Sequence, residues 1–515
     1  VSLIGLLGFL TVVLLALSVL HGYVWWRLVR GTTRPGRLRR VLTMLTVVLA
    51  LLPVSAVLLR RQLSLEAGAP LAWAGYTWLG LVFYLFIATL LTEPIRWVLR
   101  LAGPSGARRV PRRDDEAAPR DGGTALGRGA IREDREVMAR RVPHRDDAAA
   151  PRDGATAPDR GAIREDRNVT AQLDEETEPA EFGPSGARRV PRRDDEAAPH
   201  DGGTAPDRGA IREDRHDTAR HVPARGVTDV SRRLFLARSL AVGAGALAVG
   251  TAGTGVVLAN LAPVVRRVPI RIPGLDPGLA GLRIVTFSDG HLSATYGGRR
   301  FERVVETVNA QRPDVVAIVG DLVDGEVSEL REDAAPLADL VSAQGVYFVT
   351  GNHEYFVDTN AWLRHLPTLG IDVLRNERVP IRGGGATVDL AGIDDRTAAA
   401  SGLPGHGADL DAALDGRDDD VPLVLLAHQP VMVEQARAAG VDLQLSGHTH
   451  GGQLWPFDYA ILLDQPVVEG WSQQGRTQLY VTAGAGNWGP QMRVGARPEV
   501  TVVELQPGEP VAPRR

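Results

Sequence analysis

The sequence predicts an α/β domain carried behind a group of membrane-spanning helices, with a long charged linker between the two. Three observations predict it. Four stretches of 19 to 27 residues contain no charged side chain, and residues 101 to 230 carry 51 charged residues with almost no aromatics. From about residue 270, short apolar runs alternate with amphipathic stretches, the pattern that strands and helices make in an α/β fold.

At 515 residues the chain is too long for one ordinary domain, and its composition has to be read by region. Arginine against acidic residues counts 10 against 2 over residues 1 to 100, 24 against 27 over 101 to 230, and 24 against 33 over 231 to 515. These pieces carry +8, −3 and −9, and together give the net −4. No piece of the soluble part is basic, so stable nucleic-acid binding is not expected. All 58 basic residues are arginine, which excludes a lysine Schiff base or P-loop lysine. With no cysteine there is no disulfide, thiolate metal site or cysteine nucleophile, so a metal must be held by histidine, carboxylate or amide ligands.

The charge-free stretches are 1 to 26, 41 to 59, 67 to 92 and 239 to 265. Each is long enough to cross a hydrocarbon core of roughly 30 Å as a helix. Residues 1 to 100 thus predict three transmembrane helices, and 231 to 265 a fourth. The first loop holds Arg27, Arg30, Arg34, Arg37, Arg39 and Arg40, whereas the second has only Arg60, Arg61 and Glu66. Arginine-rich short loops stay cytoplasmic, so this distribution puts the second loop, and everything after the fourth helix, on the extracytoplasmic face of the cell membrane. Ser231-Arg232-Arg233-Leu234-Phe235-Leu236, before a weakly hydrophobic segment, resembles a twin-arginine export motif and would make the export machinery a partner.

Between the third and fourth helices, a 17-residue block at 103 to 119 recurs at 183 to 199, and Gly-Ala-Ile-Arg-Glu-Asp-Arg begins at 129, 161 and 209. No unit has an apolar stripe, so the repeats cannot stack as a solenoid. The segment 101 to 230 is read as a disordered cytoplasmic linker, and 508 to 515 as a disordered tail.

Within 270 to 507, strands are expected at Leu282–Ser288, Val315–Val319, Val346–Thr350, Thr387–Ile393, Leu423–Ala427, Leu443–Ser446, Leu479–Thr482 and Val500–Leu505. Asp289 and His291 follow the first, Asp321 the second, Asn352 and His353 the third, His428 the fifth, and His448 and His450 the sixth. Sites in α/β folds assemble at such strand ends. Five histidines in register with two aspartates and an asparagine point to divalent cations, and this donor set suits Mn, Fe or Zn. His365 and His406 are given no role.

The blocks Ser-Asp-Gly-His at 288, Gly-Asp-Leu-Val-Asp at 320, Gly-Asn-His-Glu at 351, Ala-His-Gln-Pro at 427 and Gly-His-Thr-His-Gly-Gly-Gln at 447 resemble, in order, those of the calcineurin-like metallophosphoesterase superfamily. The tail at 479 to 490, with Arg493 and Pro498-Glu499, is similar to its bacterial membrane-associated or exported branch, which includes enzymes resembling UDP-2,3-diacylglucosamine hydrolases. The resemblance implies a four-layer sandwich, two mixed sheets flanked by helices, with two divalent metals at one edge. Asp289, His291 and His450 would bind one metal, Asn352, His428 and His448 the other, and Asp321 would bridge them. It further implies hydrolysis of phosphate mono- or diesters by a metal-bridging hydroxide, with His353 as general acid or transition-state stabiliser. Lipid, cell-envelope or nucleotide esters are the substrates to expect, with the anchor favouring substrates near the bilayer, lipid-linked ones among them. Two other readings stand beside this one: a non-catalytic membrane receptor or scaffold that binds a phosphate ligand, and a cytoplasmic phosphodiesterase of cyclic or dinucleotides.

Overall fold

The computed structural model describes residues 3–60, 62–101 and 227–509. Most of the expected linker and tail lie outside the described residues. The N-terminal helices are α1 (Leu3–Val24, continued by a π-helical turn Trp25–Arg30), α2 (Arg37–Leu59), α3 (Leu65–Leu91) and α4 (Glu93–Leu101). Next in the described chain comes α5 (Val227–Asn260), which begins four residues before the twin-arginine-like motif and carries it in helical backbone. Among the described residues, four helical stretches are long and apolar enough to cross a membrane: Thr11–Arg30, Arg37–Leu59, Leu65–Leu99 and Arg232–Asn260. Many of their large apolar side chains face outward, among them Leu15, Val41, Met44, Leu58 and Val242. The few polar groups pair inside, as Arg27 Nη2 does with Glu93 Oε2 at 2.5 Å and Trp78 Nε1 with His21 Nε2 at 3.1 Å. Such pairing is what a hydrocarbon surround requires.

The rest of the fold is built on two six-stranded sheets. Its elements in order are β1 (Val264–Pro273), β2 (Arg283–Phe287), α6 (Gly298–Asn309), β3 (Val315–Val319), α7 (Val327–Ala334), β4 (Val346–Val349), α8 (Thr359–His365), β5 (Asp372–Val373), β6 (Glu377–Gly383), β7 (Ala386–Gly392), α9 (Leu410–Leu414), β8 (Leu423–Leu426), α10 (Val433–Ala438), β9 (Leu443–Ser446), α11 (Asp458–Ile461), β10 (Gly470–Gln474), β11 (Thr477–Val481) and β12 (Glu499–Gly508). The sheet orders are β1-β12-β2-β3-β4-β5 and β10-β11-β9-β8-β7-β6. All eight expected strands form. β1, β5, β6 and β10 were not anticipated, and β1 starts the domain at Val264 instead of 270. It is an edge strand paired in parallel with β12, and its exposed Arg266 and Arg267 hide the strand pattern.

Strand side chains alternate between two cores, which is why these runs are apolar throughout. On β3, Val316 and Ile318 pack under α6, α7 and α8, while Val315, Ala317 and Val319 meet the other sheet. On β8, Val424 and Leu426 face that shared interior, and Leu423 and Leu425 face α9 and α10. Helix, sheet, sheet and helix therefore form four layers, as expected. β2, β3 and β4 are parallel, as are β7, β8, β9 and β11, so both sheets present C-terminal strand ends on which a site can be assembled.

Candidate metal centre

Six of the seven expected ligands converge although they come from four separate loops. Asp289, His291 and His450 bring one ligand atom each within 4.8 Å of one another, and so do Asp321, His428 and His448. Asp321 belongs to both halves: its Oδ2 lies 3.0 Å from His428 Nε2 and 3.9 Å from His291 Nε2. His291 Nε2 and His450 Nε2 face each other at 3.0 Å. The seventh expected ligand, Asn352, has a buried side-chain oxygen with no hydrogen-bond partner. His448 Nδ1 is likewise buried without a hydrogen bond. Buried polar atoms are seldom left so. Two such atoms, both on residues assigned to one cation, are what a metal-binding donor set looks like.

Backbone conformation supports the same reading. Asp289, His291, Asp321, His448 and His450 all have φ between +47° and +73°. That left-handed region costs a non-glycine residue of order 1–3 kcal/mol and persists only where the surroundings enforce it, commonly at functional sites. The enforcement is visible. Asp289 N donates to Gly320 O at 3.0 Å and His291 N to Asp321 O at 3.1 Å, tying the loops after β2 and β3 together. His448 N donates to both carboxylate oxygens of Asp289, and His353 N to Asp321 Oδ1 at 2.8 Å. Glu354, fully buried, accepts from the backbone N–H groups of Asp321, Leu322 and Gly351 at 3.0, 2.8 and 2.6 Å. Gly351 leaves room for this: a Cβ there would overlap Asp321 Oδ1.

The electrostatics set the ligands in usable protonation states. Burial, aided by the neighbouring His428, pushes His448 down to about 4. Burial, with His291 and Arg493 nearby, pushes His450 well below the ordinary histidine value. Both are neutral donors at neutral pH. Burial opposes a charge on His428, but Asp321 outweighs it and pushes the imidazole up to about 10. Asp321 in turn, despite burial, is held well below the carboxylate range by His428 and His353. His428 Nδ1 is bonded to Val319 O at 2.8 Å, so a cation must displace the proton on Nε2. Metal affinity at this half of the site should therefore rise with pH by up to tenfold per unit across the neutral range and flatten above about pH 10. Titrations of the metal-free protein with Mn²⁺ at pH 6, 7 and 8 would show this rise; a flat affinity would rule out the exchange. In the metal-free protein the pair's contribution to stability has the opposite trend: it is complete below about pH 6.5 and lost as pH rises through about 10.

Two residues beyond the expected set join the centre. Asp324 Oδ1 accepts from His353 Nδ1 at 2.6 Å and from His291 Nδ1 at 3.1 Å, and these histidines hold its carboxyl well below the usual range despite its burial. The signal was the second aspartate of Gly-Asp-Leu-Val-Asp, three residues after Asp321. Glu354 was the last residue of Gly-Asn-His-Glu. His365 and His406 stay outside the cluster, His406 bonding Tyr355 Oη and Asn360.

The calcineurin-like phosphoesterase family matches residues 282–452. The "transmembrane protein with metallophosphoesterase domain" of Bos taurus is 42% identical over 295 residues, 55% of this chain and 65% of its own length. The Danio rerio protein of that name is 42% identical over 259 residues, 49% of this chain and 59% of its own. The chain thus spans about three fifths of the length of these relatives. An uncharacterized metallophosphoesterase of Bacillus subtilis, YkuE, is 32% identical over 54% of this chain and 98% of its own length. With the blocks in order, the four-layer fold and the converged ligands, the chain belongs to the calcineurin-like phosphoesterase family.

Proposed function

We propose that this chain is a membrane-anchored hydrolase of phosphate mono- or diesters that works at a centre of two divalent cations. The observation that carries it is the convergence of six of the seven expected ligands, with Asp321 shared between the two halves. When bound, the cations supply a nucleophile at neutral pH and offset the charge that develops on the phosphoryl oxygens. Asp289, His291 and His450 would hold one, and Asn352, His428 and His448 the other.

The chain's own residues supply the rest. His353 follows a ligand directly, and its Nδ1–H is fixed on Asp324, which leaves the other ring nitrogen to carry a proton to the leaving oxygen. Phe356 and Trp488 stand edge-on to its ring at 5.1 and 5.4 Å between centroids and hold it in that orientation. Asp324→Asn should lower kcat by roughly 10- to 100-fold, because Asp324 orients both His353 and the candidate ligand His291 from outside the ligand set. A variant as active as the parent would show that the His353–Asp324 bond is idle. The decisive experiment is hydrolysis of a chromogenic bis-phosphoester by the purified full chain loaded with Mn²⁺, Fe²⁺ or Zn²⁺. No turnover with any of them, in protein carrying two ions, would sink the enzyme reading and favour a phosphate-binding receptor.

The arginine-rich first loop supports a domain outside the cytoplasm. The structure is consistent with this, since the α2–α3 loop and the catalytic domain line one cleft and so share a side. Protease protection of the C-terminal domain in intact cells would overturn that orientation.

A further inference from the structure

Beside the metal centre lies a cleft that opens to solvent. Its two walls differ in chemistry. One is apolar and belongs to the α2–α3 hairpin, with Leu59, Leu63, Leu71 and Tyr76 on it and Arg60 at its turn. The other is polar and belongs to the catalytic domain, with Asp324, Asn487, Trp488 and Gln491. Asp324 and Trp488 are also the neighbours of His353, so the cleft reaches the reacting end of the metal centre.

The polar wall is not satisfied by the protein itself. Asn487 is 2% exposed, yet neither its side-chain oxygen nor its nitrogen has a hydrogen-bond partner. Gln491, equally buried, leaves its side-chain oxygen unpaired. Both residues line the cleft, and a polar ligand there could satisfy amides that the protein leaves unpaired. Asn487 sits in the segment Gly-Ala-Gly-Asn-Trp-Gly-Pro, next to the Trp488 that packs on His353.

The apolar wall comes from helices of membrane-spanning composition, and the domain beside it is dressed for the same surroundings. Trp455, Phe457, Tyr459, Leu462 and Leu463 are all more than half exposed. They follow Gln453, whose side chain brackets Trp488 by bonds to its N–H and carbonyl, and Tyr84 of α3 donates to Trp455 O at 3.1 Å. A contiguous exposed aromatic and aliphatic rim of this kind marks a bilayer interface.

We propose that the cleft is the docking site of a membrane lipid phosphoester, its hydrocarbon chain along α2 and α3 and its polar end on Asn487 and Gln491 beside the metal centre. The proposal rests on the phosphoesterase reading above. It is tested on the full chain in lipid nanodiscs with Mn²⁺, using methyl and hexadecyl p-nitrophenyl phosphate, which share one reacting phosphorus and differ only in the chain. Burying a few methylenes is worth roughly tenfold or more, so kcat/KM for the hexadecyl ester should exceed that for the methyl ester by at least that factor. Partition into the bilayer alone would also raise it, so the variants decide. Gly68→Leu and Ala72→Trp place bulk in the cleft from α3; at Gly68 the first added carbon meets only Leu63, at an ordinary 3.7 Å. Either variant, provided it carries the parent's metal content, should bring the hexadecyl-to-methyl ratio down by roughly tenfold, and Asn487→Ala should raise KM for both esters by about the same factor. A parent ratio near one, or a ratio unchanged in both variants, overturns the docking site; an unchanged KM in Asn487→Ala overturns the polar contact. Failure of the parent to cleave even the methyl ester would instead overturn the phosphoesterase reading.

Discussion

Asp321→Asn is expected to abolish binding of both cations at stoichiometric concentration and to cut kcat by roughly a thousandfold or more, at the upper end of what removal of one preorganised electrostatic group costs an active site. The substitution keeps the size of the side chain and the oxygen that accepts from His353 N. What it removes is the negative charge that both halves share, within 3.0 Å of His428 Nε2 and 3.9 Å of His291 Nε2. His448→Gln is the control: it strips one neutral donor from one half and should cost one metal, not two. Metal content after gel filtration, read beside turnover of a bis-phosphoester, separates the cases. Should Asp321→Asn retain two ions, the bridging role is wrong; should His448→Gln lose both, the halves are more interdependent than the geometry implies.

The candidate ligands were legible in the sequence because they stand just after short apolar runs, beside glycine or other small residues, as residues at strand ends do. Nothing similar marks Asp324 and Glu354. Both lie inside the same blocks, but their work consists of bonds to a ring and to backbone N–H groups from another loop, and such partners become visible only when the loops after β2, β3 and β4 are in place. β1 was missed for a different reason. Its residues Arg266, Arg267 and Arg271 suit the solvent-facing edge of a sheet, and charge on an edge strand blunts pairing with other chains while masking the strand in the sequence. The cleft was beyond reach altogether, because residues 59 to 76 and 487 to 491 meet only in space. The net −9 of the C-terminal piece also has a clearer origin now: part of it is Asp289, Asp321 and Asp324, gathered within one pocket where cations would offset them.

Arg493 should be the largest single contributor to the stability of this centre outside the ligands. It is fully buried and offers no atom to solvent. Its Nε donates to Gly486 O at 2.9 Å, Nη1 to His450 O at 3.1 Å and Ala483 O at 2.8 Å, and Nη2 to Gly484 O at 3.2 Å and Gly486 O at 2.5 Å. One planar fork thus fastens the loop after β11 to the turn that carries ligand His450. The tie reaches a second ligand, since Gly484, at φ +75°, lies so close to Asp289 that a Cβ would sit 2.8 Å from it. Burial pushes the guanidinium down to about 10, still cationic at neutral pH, with Asp289 the foremost charge opposing the fall. Arg493→Met fills the space but leaves four buried carbonyls with fewer donors, at about 1–3 kcal/mol for each that finds no other partner. Allowing for partial relaxation, the loss should be about 3–5 kcal/mol, which for a domain of this size lowers Tm by roughly 10 °C. Arg493→Lys restores the charge but not the fork, and a point donor cannot span carbonyls on both segments, so it should recover less than half of the loss. On the proposed assignment, metal binding by Asp289, His291 and His450 should weaken in both variants while binding by Asn352, His428 and His448 is spared. Equal weakening of the two would mean that Arg493 supports the fold at large, and not the geometry of that half of the centre.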